Sequence, residues 1–376
     1  MQFRDLKEQY NVLEKDINKA IQSVLSKCNF ISGDEVGELE ELLAEYVGIK
    51  HCVTCGNGTD AMSMMMMAWD IHEGDAVFVP DFTFFSSGEI VAHAGAVPVF
   101  YDVELETYNA DINSLENAIR LVIEEGNLRP RAIIAVDLFG LPANYTDLER
   151  LAEKYNLRIL EDSAQGFGGK IGVKRAGSFG DAATTSFFPA KPLGCYGDGG
   201  AIFTNDDETA KYLRSIAVHG KGKVKYDNIR IGMNSRLDTL QAAILKVKLE
   251  AFKRYELYNV NKIAEMYNER LKDIVTLPVT PEGFYSSWAQ YTIQLNSSGQ
   301  REKLQQYLRK HNIPTAVYYI KPMHSQLAFS RNKEYVECKN TEKLCNTVLS
   351  LPMHPYLSEK DCDFICMNIK RCLLDS

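Results

Sequence analysis

The sequence lacks any block of Lys or Arg and any long apolar run. Its 376 residues carry 42 basic and 50 acidic side chains, a formal net charge of −8, and the dispersed basic residues argue against a nucleic-acid footprint. No segment reaches the roughly 20 apolar residues that cross a bilayer, and residues 1–7 lack the apolar stretch of a signal peptide. These absences predict a cytoplasmic protein with neither a nucleic acid nor a membrane as partner.

Cysteine is too sparse for a disulfide framework, since nine Cys are spread over the chain and a reducing cytosol keeps them as thiols. Cys52 and Cys55 have the spacing of a redox motif or of half a zinc knuckle, but no second pair of that kind exists. The apolar run around them is typical of a buried strand, where Cys packs as a small apolar residue. Cys362 and Cys366, at helical spacing, have the same interpretation, and we predict no metal site.

Strand-like and helical patterns alternate along the first half of the chain. This alternation predicts an α/β domain with a mixed, mostly parallel sheet. A helical stretch from residue 239 to about 273, free of Gly and Pro, then leads into a smaller C-terminal α+β domain, and we place the two domains at 1–245 and 246–376. The strand patterns lie at 76–79, 97–101, 132–136 and 158–160, and later at 290–295; the helical patterns lie at 36–46, 113–124 and 145–155, and later at 302–310 and 359–372.

Lys191 and Asp162 are the two residues that indicate a chemistry. Lys191 lies among small, hydroxyl and Gly residues, and Asp162 follows a buried strand pattern. A lysine that forms a Schiff base must be easily deprotonated, and a carboxylate at a strand end can face the pyridine nitrogen of pyridoxal 5'-phosphate (PLP). A solvated loop lysine, and a salt bridge or helix cap for Asp162, remain the alternatives at this point.

A Gly-rich turn at residues 56–62 has the form of a strand-to-helix junction, where free amides attract a phosphate. Thr59 and Asp60 are the expected amide donors, although many such turns bind nothing. The remaining cofactor candidates are weaker by themselves, because a stacking aromatic can equally close the core. They are Phe84 for stacking on the ring, Gln165 for the ring oxygen and the hydroxyl of Ser186 for the phosphate.

Several motifs together resemble the DegT/DnrJ/EryC1/StrS family of sugar aminotransferases, and the resemblance covers nearly the whole chain. The motifs are GNGTDA at 56–61, residues 80–85, EDSAQG at 161–166, SFGD at 178–181, SFFPAKPLG at 186–194, GDGGA at 197–201 and GMNSR at 232–236. The resemblance implies a PLP-dependent transferase type I fold and a homodimer whose active sites use both subunits. It also implies L-glutamate as amino donor and pyridoxamine 5'-phosphate as the second form of the cofactor.

The resemblance assigns roles to individual residues. Lys191 would form the Schiff base and move protons, and Asp162 would pair with the pyridine nitrogen. The cofactor would be held by the Thr59 and Asp60 amides, Phe84, Gln165 and Ser186, with Asn234 reaching the phosphate from the other subunit. Some family members carry His in place of the lysine and dehydrate their substrate, so Lys191 indicates a transaminase.

The run FPAKPLGCYGDGG at 188–200 is similar to enzymes that aminate C3 of UDP-N-acetyl-3-keto-glucuronic acid for bacterial surface polysaccharides such as lipopolysaccharide O-antigen. A uronic acid needs a cation, for which Arg236 is the candidate, unless it pairs with an acid at the subunit interface. The other expected sugar or nucleotide contacts are His219, Tyr318, Tyr319 and His324. The alternatives are a dTDP-3-keto-6-deoxyhexose aminotransferase and a non-catalytic PLP-binding regulator, although the latter requires loss of Lys191 or an added DNA-binding segment.

Overall fold

The computed structural model describes residues 1–224 and 226–374, and its centre is a seven-stranded sheet. The sheet order is β1-β9-β8-β5-β4-β2-β3. Neighbours from β3 to β8 are parallel, whereas β9 is antiparallel to both β8 and β1. The described strands are β1 (His51–Cys55), β2 (Asp75–Pro80), β3 (Val97–Tyr101), β4 (Arg129–Val136), β5 (Arg158–Asp162), β6 (Lys170–Ile171), β7 (Lys174–Arg175), β8 (Ala182–Ser186), β9 (Gly200–Thr204), β10 (Phe284–Tyr285), β11 (Tyr291–Gln294) and β12 (Val348–Leu351).

Helices cover the sheet and form most of the C-terminal part. The described helices are α1 (Leu6–Lys27), α2 (Asp34–Val47), α3 (Gly58–Ala68), α4 (Ser86–His93), α5 (Ile112–Glu125), α6 (Tyr145–Tyr155), α7 (Asp207–Ile216), α8 (Thr239–Ala251), α9 (Leu257–Leu271), α10 (Ser298–Lys310), α11 (Lys339–Thr347) and α12 (Glu359–Leu374). Within the described ranges, no helix is both long and apolar enough to cross a bilayer.

The parallel strands are apolar because both faces of the sheet are covered. Every residue of β2 is buried, as are the last five residues of β4, which is the usual condition of a parallel sheet between helices. The carboxyl ends of parallel strands lie at the same edge of a sheet, so the segments that follow β2, β5 and β8 begin close together at that edge. The predicted mixed, mostly parallel sheet is confirmed, and this edge is where the candidate site lies.

The predicted long helical stretch is present with one irregularity. Helix α8 continues through a π-helical turn at Phe252–Glu256 into α9, which ends at Leu271 rather than near residue 273. Helix α8 packs on α1 and α2, whereas α9 packs on α12, so the change of partners falls at the π-helical turn. The antiparallel pair β11–β12 and helices α9, α10 and α12 surround a separate apolar cluster. A boundary after residue 245 remains a prediction.

Candidate active site

Asp162 ends β5 and is fixed by two donors. The Ser87 hydroxyl donates to its Oδ2 at 3.1 Å, and the Ala164 amide donates to its Oδ1 at 3.2 Å. Burial raises the pKa of Asp162, while the positive charge of Lys191 and these two donors oppose that shift. The carboxylate is therefore held in one orientation at the edge of the sheet where the parallel strands end.

Lys191 lies in the loop between β8 and β9, and both ends of this loop are held by the sheet. The Phe187 amide donates to the Gly199 carbonyl at 2.7 Å, beside the strand pair of Ser186 and Gly200. Burial lowers the pKa of Lys191, whereas the Asp162 carboxylate raises it. A lysine whose ammonium form is disfavoured by burial has the property that a Schiff-base lysine needs.

The turn at residues 56–61 places the start of α3 beside the end of β8. Asn57 caps the helix, because its Oδ1 accepts a hydrogen bond from Asp60 N at 2.7 Å. Of the two predicted amide donors, Asp60 N is thus bound within the turn, while Thr59 N and Gly58 N occupy first-turn positions that have no acceptor inside the helix. Gly58 is a candidate donor that the motif alone did not single out.

Three segments meet here at backbone distance. A Cβ on Gly58 would lie 2.8 Å from Cβ of Ser186, and a Cβ on Gly200 would lie 2.5 Å from the carbonyl carbon and oxygen of Asn57. The result is a concave group of peptide amides at a helix N-terminus, next to a hydroxyl, which suits a phosphate. Together with Lys191 and Asp162, these residues fit PLP.

Gly200→Ala is therefore expected to weaken PLP binding about tenfold or more. The new methyl group must push the Asn57–Gly58 peptide away from Ser186, and overpacking of this kind costs about 1–3 kcal/mol. Titration of the cofactor-free protein with PLP measures the change. Gly299→Ala is the control, because nothing lies within 4 Å of the added carbon. Equal PLP affinities for the two variants would contradict the proposed phosphate position.

Gln165, Phe84 and Tyr319 form one group of neighbouring side chains. Gln165 Oε1 accepts from Phe139 N at 2.8 Å, and its Nε2 donates to the Tyr319 hydroxyl at 3.2 Å. The mostly exposed ring of Phe84 lies 6.5 Å from the ring of Tyr319. The structure thus brings two predicted cofactor residues together with a predicted sugar contact, and burial raises the pKa of Tyr319.

His324 is held by the carboxylate of Asp81. Its Nδ1 and its amide each lie 2.7 Å from an oxygen of Asp81, and its Nε2 lies 4.0 Å from Glu342. The Asp81 carboxylate raises the pKa of the His324 imidazole. Asp81, His324 and Cys338 also place metal-ligand atoms within 4.8 Å of one another. Hydrogen bonding to Asp81 accounts for this arrangement, and a sugar contact by His324 remains a prediction.

The segment 218–236 carries the other predicted residues. His219 donates its amide to Met233 O at 2.9 Å, and Val218 pairs with the exposed Asn234. Among the described residues, no hydrogen bond or ion pair joins His219, Asn234 or Arg236 to Lys191. Tyr318 lies with its ring 6.3 Å from that of Phe3. Roles in a sugar site or in a partner's site therefore remain predictions for these four residues.

Ser235 joins this segment to the turn at residues 56–61, called the phosphate turn below. Its hydroxyl donates to Asp60 Oδ2 at 2.6 Å and accepts from Gly56 N at 2.9 Å. The Asp60 side chain thus has a structural partner within the same chain. The residue next to Asn234 is fixed to the turn, so the position of Asn234 depends on the position of that turn.

Glu161 lies on the strand next to Asp162 in sequence and points into the opposite layer. It is fully buried, and its two oxygens accept from Gly177 N at 2.6 Å and Phe179 N at 2.8 Å. Two backbone donors to one carboxylate fix the loop that leads into β8. In the sequence, the only indication of this role was that an acidic residue directly precedes Asp162 in the motif at 161–166.

Asp137 is a second buried carboxyl group, close enough to Glu161 for the two to influence each other. Its Oδ1 accepts from Ala143 N at 3.0 Å and from the Tyr145 hydroxyl at 2.8 Å, while its buried Oδ2 receives no other N–H or O–H group of the described residues. Burial raises the pKa of both carboxyl groups, and each acts on the other. Two neighbouring buried carboxyl groups cannot both carry a negative charge cheaply, so the pair favours one shared proton, and Asp137 Oδ2 has no other partner that would prevent it from taking part.

Comparison with known proteins gives a consistent result. The profile of the DegT/DnrJ/EryC1/StrS aminotransferase family matches residues 11–370. A crystal structure of a DegT DnrJ EryC1 StrS aminotransferase from Brucella abortus is 48% identical and superimposes with a TM-score of 0.97, covering 100% of both chains. The expected PLP-dependent transferase fold is therefore confirmed.

Three relatives with named activities align along nearly their whole length. UDP-2-acetamido-2-deoxy-3-oxo-D-glucuronate aminotransferase of Pseudomonas aeruginosa is 43% identical over 97% of this chain and 98% of its own. UDP-N-acetyl-3-dehydro-alpha-D-glucosamine 3-aminotransferase of Acidithiobacillus ferrooxidans is 38% identical over 98% and 97%. dTDP-3-amino-3,6-dideoxy-alpha-D-galactopyranose transaminase of Aneurinibacillus thermoaerophilus is 36% identical over 98% of each.

Proposed function

Since this chain belongs to the DegT/DnrJ/EryC1/StrS aminotransferase family, we propose that it transfers the amino group of L-glutamate to the C3 keto group of a UDP-linked sugar. UDP-N-acetyl-3-keto-glucuronic acid is the proposed acceptor, in the synthesis of a bacterial surface polysaccharide. The observation that carries the proposal is the pair of Lys191 and Asp162 beside a helix N-terminus suited to a phosphate. A catalytic lysine in this setting favours an enzyme over a PLP-binding regulator.

Protons are held and moved by two side chains. Bound PLP supplies an electron sink for the substrate carbon that loses a proton. Asp162, oriented by Ser87 and the Ala164 amide, holds a proton at the pyridine nitrogen. Lys191 takes up and returns the proton that moves between substrate atoms, and its lowered pKa increases the fraction of free amine at neutral pH.

Binding residues surround this pair. The amides of Gly58 and Thr59 and the Ser186 hydroxyl would hold the phosphate, while the ring would lie between Phe84 and the sheet edge. Gln165 would meet the ring oxygen with an amide that Tyr319 and Phe139 already orient. Orientation before binding reduces the entropy lost when cofactor and substrate are fixed.

We propose a homodimer in which two chains complete each site. Large apolar side chains are exposed on the segments that carry the predicted site residues, and exposed apolar patches usually mark interfaces. Asn234, exposed next to the Ser235 contact, would reach the phosphate of the second subunit. The apolar residues in question are Phe84, Phe188, Ile229 and Ile231, each more than half exposed.

The uronic acid acceptor is supported by the relative from Pseudomonas aeruginosa, whose name specifies a glucuronate. Relatives at lower identity act, by their names, on a UDP-glucosamine derivative and a dTDP-sugar. A carboxylate on the sugar needs a cation, and Arg236 directly follows the residue that contacts the phosphate turn. Arg236 is therefore the proposed partner of the uronate.

A panel of three keto-sugars with L-glutamate tests this function. We expect the highest kcat/KM with the UDP-linked 3-keto-uronate, then with the neutral UDP-linked 3-keto-sugar, then with a dTDP-3-keto-6-deoxyhexose. Arg236→Met should lower kcat/KM for the uronate about 10- to 100-fold, the value of a lost charge-assisted hydrogen bond, and leave the neutral sugar nearly unchanged. A wild-type preference for either neutral sugar would refute the uronate assignment.

A further inference from the structure

Arg4 lies directly beneath the loop that carries Lys191. Its Nη2 donates to the main-chain carbonyl of Lys191 at 2.7 Å and approaches that of Pro192 at 3.4 Å. Burial lowers the pKa of the guanidinium to about 10, although Glu256 and Tyr356 oppose this shift. A positive charge enclosed in this way is costly unless its surroundings balance it.

The surroundings of Arg4 are polar and fixed by three parts of the chain. Glu256, the last residue of the π-helical turn, accepts from Gln9 Nε2 at 2.8 Å and from the Tyr356 hydroxyl at 2.6 Å. Lys248 is also buried near this carboxylate, and burial lowers its pKa to about 8. The negative charge of Glu256 thus acts on both cationic side chains and favours their charged forms.

Two charged side chains act on the Lys191 amine in opposite senses. The Asp162 carboxylate stabilises the ammonium form, and the guanidinium of Arg4 destabilises it. A nearby cation is an established means of lowering the pKa of a lysine that must act as a free amine. Because the effects of these two charges oppose each other, burial remains the largest influence on the pKa of Lys191.

We propose that Arg4 is a positioning residue for Lys191, fixing the main chain of the lysine loop and placing a second positive charge next to the residue that carries the amine. This proposal rests on the proposed role of Lys191 in holding the cofactor. Arg4 acts through the loop and through its charge, and it does not touch the reacting atoms. Glu256 and the hydroxyl of Tyr356 in turn hold the environment of Arg4.

Three variants separate the charge from the hydrogen bond. Arg4→Met removes both, Arg4→Gln retains an N–H donor without the charge, and Arg4→Lys retains the charge. Lys7→Met is the matched control, because it removes one exposed positive charge from the same segment. The readout is the rate of Lys191 acylation by acetic anhydride in cofactor-free protein between about pH 6 and pH 10, measured by peptide mass spectrometry.

We expect the apparent pKa of Lys191 to rise by about one unit in Arg4→Met and Arg4→Gln. It should stay near the wild-type value in Arg4→Lys and Lys7→Met. In the holoenzyme, the pH titration of the visible absorption band should move in the same direction. Arg4→Gln and Arg4→Lys provide the comparison should Arg4→Met fail to fold.

A purely structural role would lower the melting temperature of the Arg4 variants and leave both titrations unchanged, and that result would overturn the proposal. Failure of the underlying function has a different signature. Reduction of the holoenzyme with borohydride would then attach the cofactor to a lysine other than Lys191, whatever residue occupies position 4.

Discussion

Lys191→Ala will lower transamination by about 10⁴-fold or more, while the protein remains folded. The variant loses the amine that is proposed to bind the cofactor and move the proton, and general acid–base catalysis by one side chain alone contributes roughly 10²–10⁴-fold. Because the Phe187–Gly199 contact and the Ser186–Gly200 pairing hold the ends of the loop through main-chain atoms, truncating the side chain leaves the loop in place.

The visible absorption spectrum of the protein with PLP, before and after addition of L-glutamate, measures this effect. Wild type should show a band that glutamate changes and a keto-sugar restores, and Lys191→Ala should not complete the cycle. Lys174→Ala, at an exposed position in β7, is the control and should behave as wild type. Full turnover by Lys191→Ala would refute the catalytic assignment.

Glu161→Leu will lower the free energy of unfolding by about 2–5 kcal/mol. The substitution removes the acceptor of two buried amides, those of Gly177 and Phe179, and a buried donor without a partner is expensive. Chemical denaturation measures the change. Asp181→Asn is the control, because Asp181 is exposed and accepts from one amide, that of Ile159, and an amide oxygen can replace it.

Asp137→Asn will raise the free energy of unfolding at alkaline pH relative to that of the wild type. The pKa of the buried carboxyl pair is raised in the folded protein, so the folded chain keeps a proton that the unfolded chain releases near pH 4. The free energy of unfolding therefore falls as pH rises from about 4 through the raised pKa. The side-chain amide introduced by this substitution would donate to Glu161 at every pH, so the variant should lose this slope. An unchanged slope would contradict the shared proton.

The sequence allowed the central pair and the sheet to be predicted for local reasons. Lys191 and Asp162 each lie in a distinctive motif, and β3 and α6 have the predicted limits because their apolar periodicity is strong. Strand β8, with the sequence AATTS, lacks large apolar residues, so no pattern indicated it. Its position in the sheet depends on pairing with β5 and β9.

Long-range contacts account for what the sequence could not predict. Ser87 supports Asp162, and Arg4 supports the Lys191 loop, across large separations along the chain. The amide of Asp60 was expected to be available to a phosphate, but the Asn57 cap binds it. Side-chain caps of this kind compete for the same amides as a ligand, and only the geometry decides which acceptor is bound.

The hairpin formed by β8 and β9 has a consequence for engineering the specificity of this protein. One hairpin carries Ser186, Lys191 and Gly200, so a change in its connecting loop would disturb the proposed phosphate end and the proposed amine end of the site together. The segment with Tyr318 and Tyr319 belongs to a different part of the chain, and the Tyr319 hydroxyl accepts a hydrogen bond from the side chain of Gln165. Libraries that seek new acceptor sugars should therefore vary that segment and keep the hairpin constant.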